Sequence, residues 1–174
     1  GKYTPETRVK FDEENPLMFA CPAANGSGKD MVLLAAFAVY HAVTGQRNRA
    51  IVTSASYEQL RYQTEPHIKV LVDLCNLKFG KIFNSVLFHH VCTRTAAEIK
   101  LFVTDEPGRA EGYHPWPGGK MALCLNEVKS IKDELCNAFR RCSGFSYWIE
   151  VSSPGLMAGQ FFRSCQSGIP YPNQ

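Results

Sequence analysis

Three short stretches carry residue types that could do chemistry together. The first is Pro22 to Asp30, PAANGSGKD. Glycines at 26 and 28 let backbone N–H groups turn inward as an anion-binding nest, and a helix starting at Lys29 adds the positive end of its dipole. Lys29 would reach the β- and γ-phosphates of a nucleotide, with Ala24, Asn25, Gly26, Ser27, Gly28 and Asp30 completing the cradle. Such a loop reads G-x-x-x-x-G-K-[ST]. Here Ala23 holds the place of the first glycine and Asp30 that of the hydroxyl that ligates Mg²⁺. An ordinary glycine turn between a strand and a helix would account for the same residues without a ligand.

The second stretch is MALCLNEVKSI, residues 121 to 131. A buried strand ending in Asp-Glu suits nucleotide hydrolysis, because the Asp holds Mg²⁺ and the Glu orients the attacking water. Here the pair is Asn126-Glu127, so the Glu is present and the metal-holding acid is neutral. A strand ending at a polar surface turn reads the same way. The third stretch is IEVSSPG, residues 149 to 155. Ser152 and Ser153 follow an apolar run directly, where two hydroxyls can sense a γ-phosphate and relay its loss; turn residues at a strand exit are the plain alternative. The two departures fit one hypothesis, in which Asp30 and Asn126 both face the metal and Asp30 supplies the acid that Asn126 lacks. Magnesium takes oxygen ligands and keeps several waters, so either layout works. The competing hypothesis is that Asn126 weakens the metal enough to stop turnover.

These residues must be held by strands and helices. Short apolar runs at Leu17–Cys21, Arg49–Ser54, Met121–Leu125 and Tyr147–Val151 predict buried strands. Lys29 to Val43 predicts a helix ended by Thr44-Gly45. Ser56 caps a second helix from Tyr57 to about Leu74, with Pro66 kinking or restarting it. Ser85–Val91 and Glu98–Thr104 alternate as the two strands of a hairpin. Asp105–Gly119, with three prolines and four glycines, is a loop. Val128 to Arg141 predicts a helix with Ile131, Leu135, Ala138 and Phe139 on one face, ended by Gly144. The polar Gly1–Pro16 is expected to wrap the edge of the core. Strands alternating with helices argue for an α/β fold with a parallel sheet, as one domain without an internal boundary.

Composition excludes several classes. At 174 residues and 45% hydrophobic the chain can build one real core, and a net charge of +3 permits a polyanionic partner without arguing for one. No block of like charges forms a basic arm. Seven cysteines without a C-x-x-C predict neither a zinc site nor a redox pair, and suit a reducing compartment. No apolar run approaches the ~20 residues that span a bilayer. His89 and His90 lie in a strand pattern, one facing in and one out. Tyr113 and Trp116 are expected to pack their loop onto the sheet rather than stack on DNA bases. Arg140 and Arg141 suit a helix C-terminus.

In order and spacing these stretches resemble one family. From about Met18 to Phe162 the chain is similar to the ATPase domain of phage large terminase subunits, motors that package DNA into capsids. The resemblance rests on ANGSGKD, AIVTSASYEQLRYQTEPHIKVL, EGYHP, LNEVKSI and VSSPGLMAGQFF. It implies a P-loop NTPase fold of the ASCE, RecA-like kind: a three-layer sandwich around a mostly parallel sheet. It also implies ATP and Mg²⁺ as ligands, Lys29 gripping phosphate, Glu127 as the catalytic carboxylate, and Ser152 and Ser153 coupling hydrolysis to movement. The loop lacks the arginine the family usually aims at the γ-phosphate, so Arg109 becomes the candidate finger acting on a ring neighbour; a solvated loop arginine is its plain reading. Gln59 could approach the nucleotide, although the helix surface is its simpler place.

The implied partners are double-stranded DNA, a homo-oligomeric ring, a small terminase subunit and a portal protein, with no membrane. The implied setting is the cytoplasm of an infected or prophage-carrying bacterium, at the procapsid portal. Residues 1–174 would be the N-terminal ATPase domain of a longer protein. Nothing past Phe162 supplies a carboxylate cluster of the kind a two-metal nuclease needs, so no DNA cleavage is expected from this chain alone. A helicase-like translocase and a non-hydrolysing nucleotide- or DNA-binding module remain as alternatives.

Overall fold

The computed structural model describes residues 16–155 and 157–166, so the N-terminal stretch expected to wrap the core lies outside the described residues. Seven strands form one sheet in the order β1-β7-β6-β2-β5-β4-β3. They are β1 (Leu17–Pro22), β2 (Arg49–Ser54), β3 (Phe83–Val86), β4 (His89–Cys92), β5 (Ala97–Leu101), β6 (Met121–Asn126) and β7 (Phe145–Ser152). The first five in that order are parallel, while β4 and β3 run antiparallel at the far edge.

The inner parallel strands β2, β5 and β6 are buried on both faces, as their continuous apolar runs require, whereas β1, expected to be buried, is the edge strand and leaves Leu17 and Phe19 exposed. The two-residue period of each strand then divides the core in two. Ala50, Val52, Ala122 and Cys124 face a cluster with Leu34 from the π-helical segment Asp30–Ala35, Ala38 from helix α1 (Ala36–Thr44), and Ile68 and Val72 from α3 (Glu65–Phe79). Ile51, Leu123, Leu125 and Trp148 face a second cluster with Leu135 and Phe139 from α5 (Asp133–Arg140) and Phe161 from α6 (Gly159–Cys165). Helices cover both faces, giving the three-layer α/β sandwich that the sequence and its resemblance implied.

The strand order places the chemistry. β7 lies between β1 and β6, with Pro22 opposite Ser152 and Asn126 opposite Val151. The loop after β1, Glu127 after β6 and Ser152-Ser153 at the end of β7 therefore converge at one C-terminal edge, where open α/β sheets bind ligands.

Several boundaries differ from expectation for identifiable reasons. Ser85–Val91 is two strands, because Leu87 and Phe88 form a tight turn with Phe88 at φ 65°. Both turn residues are apolar, so the alternating pattern hides the turn. The helical region that opens with α2 (Tyr57–Gln59) runs on to Phe79, past the expected end at Leu74. Ser56 does cap it, accepting the Gln59 N–H at 3.2 Å. Pro66 falls in the first turn of α3, where a missing N–H costs little, directly after a π-helical turn at Leu60–Thr64. Val128–Arg141 is broken: a 3₁₀ turn at Val128–Ser130 comes first, and α5 starts at Asp133.

The long loop holds a short helix, α4 (Pro107–Ala110). Arg49 pins the rest of it. Its Nη1 donates to the His114 carbonyl at 2.5 Å, and its guanidinium lies 5.8 Å from the Tyr113 ring and 5.4 Å from the Trp116 ring. Its Nε also pairs with the buried Glu98 at 2.6 Å. Tyr113 and Trp116 thus pack this loop onto the sheet, as expected. The two histidines also divide as expected, with His90 buried and His89 partly exposed against Glu98.

Candidate nucleotide-binding site

The loop after β1 has the backbone a phosphate cradle needs. Gly26 and Gly28 take φ of 74° and 79°, the left-handed region that glycine enters without a Cβ penalty. The Val32 N–H then closes onto the Gly28 carbonyl at 2.9 Å and begins the helical run. The loop's entry is tied to the neighbouring strand by Ala23 N–H donating to the Ser152 carbonyl at 3.0 Å. Asn25, Gly26, Gly28, Lys29 and Asp30 line one wall of a cleft of about 670 Å³.

Lys29 is buried, and its Nζ lies 3.0 Å from Glu127 Oε1. Glu127 itself takes φ 51° and ψ 47°. A left-handed non-glycine residue costs about 1–2 kcal/mol, and such strain concentrates at functional positions. Its second oxygen, Oε2, accepts from Ser152 Oγ at 3.3 Å and Ser153 Oγ at 3.4 Å. One carboxylate therefore joins the lysine of the glycine loop to both hydroxyls at the end of β7.

Solved structures similar to this architecture include phage large terminases. The large terminase of bacteriophage HK97 superposes with a TM-score of 0.62 at 17% identity, over 79% of this chain and 29% of that one. The large terminase of the thermophilic bacteriophage D6E in complex with ADP gives 0.57 at 13% identity, over 83% and 35%. The same D6E protein in complex with ATP-γ-S gives 0.54 at 13% identity, over 83% and 34%. The chain has the fold of phage large terminases. It spans about a third of the length of each. No family model matches the chain, and neither does any curated protein.

Within this terminase fold the other expected site residues divide. Asp30 reaches the cleft, and its Oδ1 is buried without a hydrogen-bond partner among the described residues. A buried carboxylate oxygen left unpartnered is costly unless a cation meets it. Asn126 does not reach the cleft. It is fully buried, its Nδ2 donates to Thr64 Oγ1 at 2.9 Å, and its Oδ1 accepts the Glu127 N–H at 2.9 Å. In this geometry Asn126 fixes the backbone of Glu127, and of the two residues expected at a metal Asp30 alone faces the cleft. Ala24 and Ser27 shape the loop without lining the cleft, Ser27 through its N–H to the Ala24 carbonyl at 3.3 Å.

Arg109 lies on α4, exposed and paired with Glu106 at 2.8 Å, and is not part of the cleft wall. Gln59 does line the cleft, and accepts from Ser54 Oγ at 3.2 Å. Tyr62, Gln63 and His67 continue the same wall and were missed. The signal was a polar stripe: Gln59, Gln63 and His67 recur every four residues, one face of a helix. Lys129 was also missed. Among the described residues, no group of three or more His, Cys, Asp or Glu side chains could hold a metal by itself, and no helix is long and apolar enough to cross a membrane.

Proposed function

We propose that the chain is the ATP-hydrolysing motor domain of a DNA-packaging terminase large subunit. The observation that carries the reading is the double engagement of Glu127, with Lys29 on one carboxylate oxygen and Ser152 and Ser153 on the other. The ADP and ATP-γ-S complexes of the D6E terminase support nucleotide in a fold of this kind.

The geometry suggests a sequence of events. Phosphates entering the nest of Gly26 and Gly28 offer Lys29 a stronger anionic partner than one carboxylate. Lys29 moves to them and releases Glu127 Oε1, which then accepts a hydrogen bond from the attacking water and orients it. Because Ser152 and Ser153 donate to the same carboxylate, any shift of Glu127 alters their hydrogen bonds and reaches the loop after β7. Asp30 suits a Mg²⁺ ligand, since its Oδ1 is buried and unpartnered in the cleft wall. Mg²⁺, when bound, would neutralise charge on the β- and γ-phosphates.

In this proposal residues 1–174 form the N-terminal ATPase domain. It would act on double-stranded DNA in a homo-oligomeric ring, with a small terminase subunit and a portal, in the host cytoplasm. Arg109, exposed on α4, would serve a neighbouring subunit. The test is phosphate release from Mg²⁺-ATP with and without double-stranded DNA. Turnover that DNA stimulates and that Glu127→Gln removes is the expected result. Absence of nucleotide binding under these conditions would overturn the proposal. A second reading, a nucleotide-binding module without turnover, draws on the neutral, buried Asn126 at the place of the usual acid. Tight binding with no phosphate release, DNA included, would select it.

A further inference from the structure

Lys129 stands two residues beyond Glu127, in the middle of the Val128–Ser130 turn. It lines the nucleotide cleft, and it also lines a second cleft of about 650 Å³ bounded by Pro154, Gly155, Phe161, Phe162 and Cys165. Its side chain therefore forms part of the wall between the two.

Both ends of this residue are in use. Its backbone N–H donates to Ser152 Oγ at 3.3 Å, and its ammonium donates to Ser153 Oγ. The same ammonium lies 3.9 Å from Glu127 Oε2. Its stem runs against Gly155, where a Cβ would come within 3.1 Å of Lys129 Cδ. A solvated lysine pairing with a surface carboxylate contributes little. Here the carboxylate is buried and the lysine side chain is only 34% exposed.

We infer that Lys129 is a positioning residue that clamps Ser152 and Ser153 to Glu127 and carries a change at the nucleotide cleft to the Pro154-Gly155 turn and the second cleft. The inference rests on the reading of the first cleft as an ATP site. In the nucleotide-free protein Glu127 has a cation at each oxygen, Lys29 and Lys129. When Lys29 turns to phosphate, Lys129 is the remaining cation beside the carboxylate. Its hydrogen bond to Ser153 then links any movement of Glu127 to the turn after β7. Neither serine reaches the second cleft, whereas Lys129, Pro154 and Gly155 all do.

The test compares wild type, Lys129→Met and Lys129→Arg, without nucleotide and at saturating ATP-γ-S. Without nucleotide, Lys129→Met should speed amide exchange at Ser153 and Gly155 by about tenfold, the scale of one lost charge-assisted hydrogen bond, and Lys129→Arg should not. With nucleotide, alkylation of Cys165 by iodoacetamide, read by mass spectrometry, should change rate in wild type and in Lys129→Arg. That change should be lost in Lys129→Met. Wild-type exchange rates in Lys129→Met, or an undiminished nucleotide effect at its Cys165, overturn the inference. Calorimetric titration of wild type with ATP-γ-S tests the underlying reading separately: no binding removes the ATP site, while the nucleotide-free exchange still decides the clamp.

Discussion

Lys29 and Glu127 neutralise one another inside the fold, Nζ to Oε1 at 3.0 Å with both residues buried. Neither charge could stay there alone. Removing one partner of a buried pair costs about 3–5 kcal/mol, because the other is left uncompensated. Lys129 beside the far oxygen softens that loss, so Lys29→Ala should destabilise the nucleotide-free protein by about 3 kcal/mol, the low end of that range. Urea unfolding of Lys29→Ala, Glu127→Gln and the double variant gives the coupling energy. A coupling near zero would show that the two side chains do not interact in solution.

Glu127→Gln keeps the shape of the side chain and one acceptor oxygen, and loses the charge that orients water. Phosphate release should fall by at least about 10²-fold, the lower end for loss of a positioned general base, while ATP-γ-S still binds. Stopped turnover with retained binding is the expected pair of results. Turnover near wild type would move the catalytic role elsewhere in the cleft.

Much of this arrangement was legible because it is local. Apolar runs of four to six residues between turn signals marked β1, β2 and β6, and Ser56 marked its helix by capping chemistry. The convergence of the loop, Glu127 and the serines needed the order β1-β7-β6, which no local pattern prints. The fate of Asn126 was illegible for the same reason. Its partner Thr64 lies on a different element and far away in sequence. Lys129 was passed over because a lysine after a strand looks solvated until its neighbours Ser153 and Gly155 are placed. The turn at Leu87-Phe88 was hidden because apolar residues occupy it.

Asp30 gives a metal-dependent test. Its Oδ1 is buried without a partner among the described residues, so Asp30→Ala should raise stability by about 1 kcal/mol when no Mg²⁺ is present. The same variant should weaken Mg²⁺-dependent nucleotide binding by at least about tenfold, the size of one lost charge-assisted contact. Asp30→Ser, which restores the usual hydroxyl, should keep the Mg²⁺ dependence. Equal Mg²⁺ titrations for wild type and Asp30→Ala would remove Asp30 from the metal.

Gly119 marks where the long loop returns to β6. A Cβ there would lie 2.1 Å from the Arg47 carbonyl oxygen and 2.6 Å from its carbon. Those are backbone atoms, and Arg47 is itself held through its N–H to the Thr95 carbonyl at 2.8 Å. Gly119→Ala should therefore cost about 1–3 kcal/mol, the range for forced overpacking. A thermal midpoint equal to wild type would show that the loop can yield.

His90 should make the fold sensitive to mild acid. It is fully buried on β4, its Nδ1 lies 3.0 Å from Ser85 Oγ, and its Nε2 has no partner among the described residues. Burial foremost, then Lys69 and His89, push its pKa from 6.5 down to about 4, against a smaller opposing pull from Asp73. Between those values the unfolded chain binds a proton that the folded chain does not. Stability therefore rises with pH across that window, and is lost as pH falls from 6.5 towards 4. His41 acts in the same direction, lowered mainly by burial against hydrogen bonds to backbone that raise it. His90→Leu removes one titrating group and leaves the exposed Ser85 hydroxyl to water. Urea midpoints taken from pH 4.5 to 7 should fall less steeply for His90→Leu than for wild type, with the remaining slope owed partly to His41. Parallel slopes would mean that His90 is protonated as readily in the folded chain as in the unfolded one.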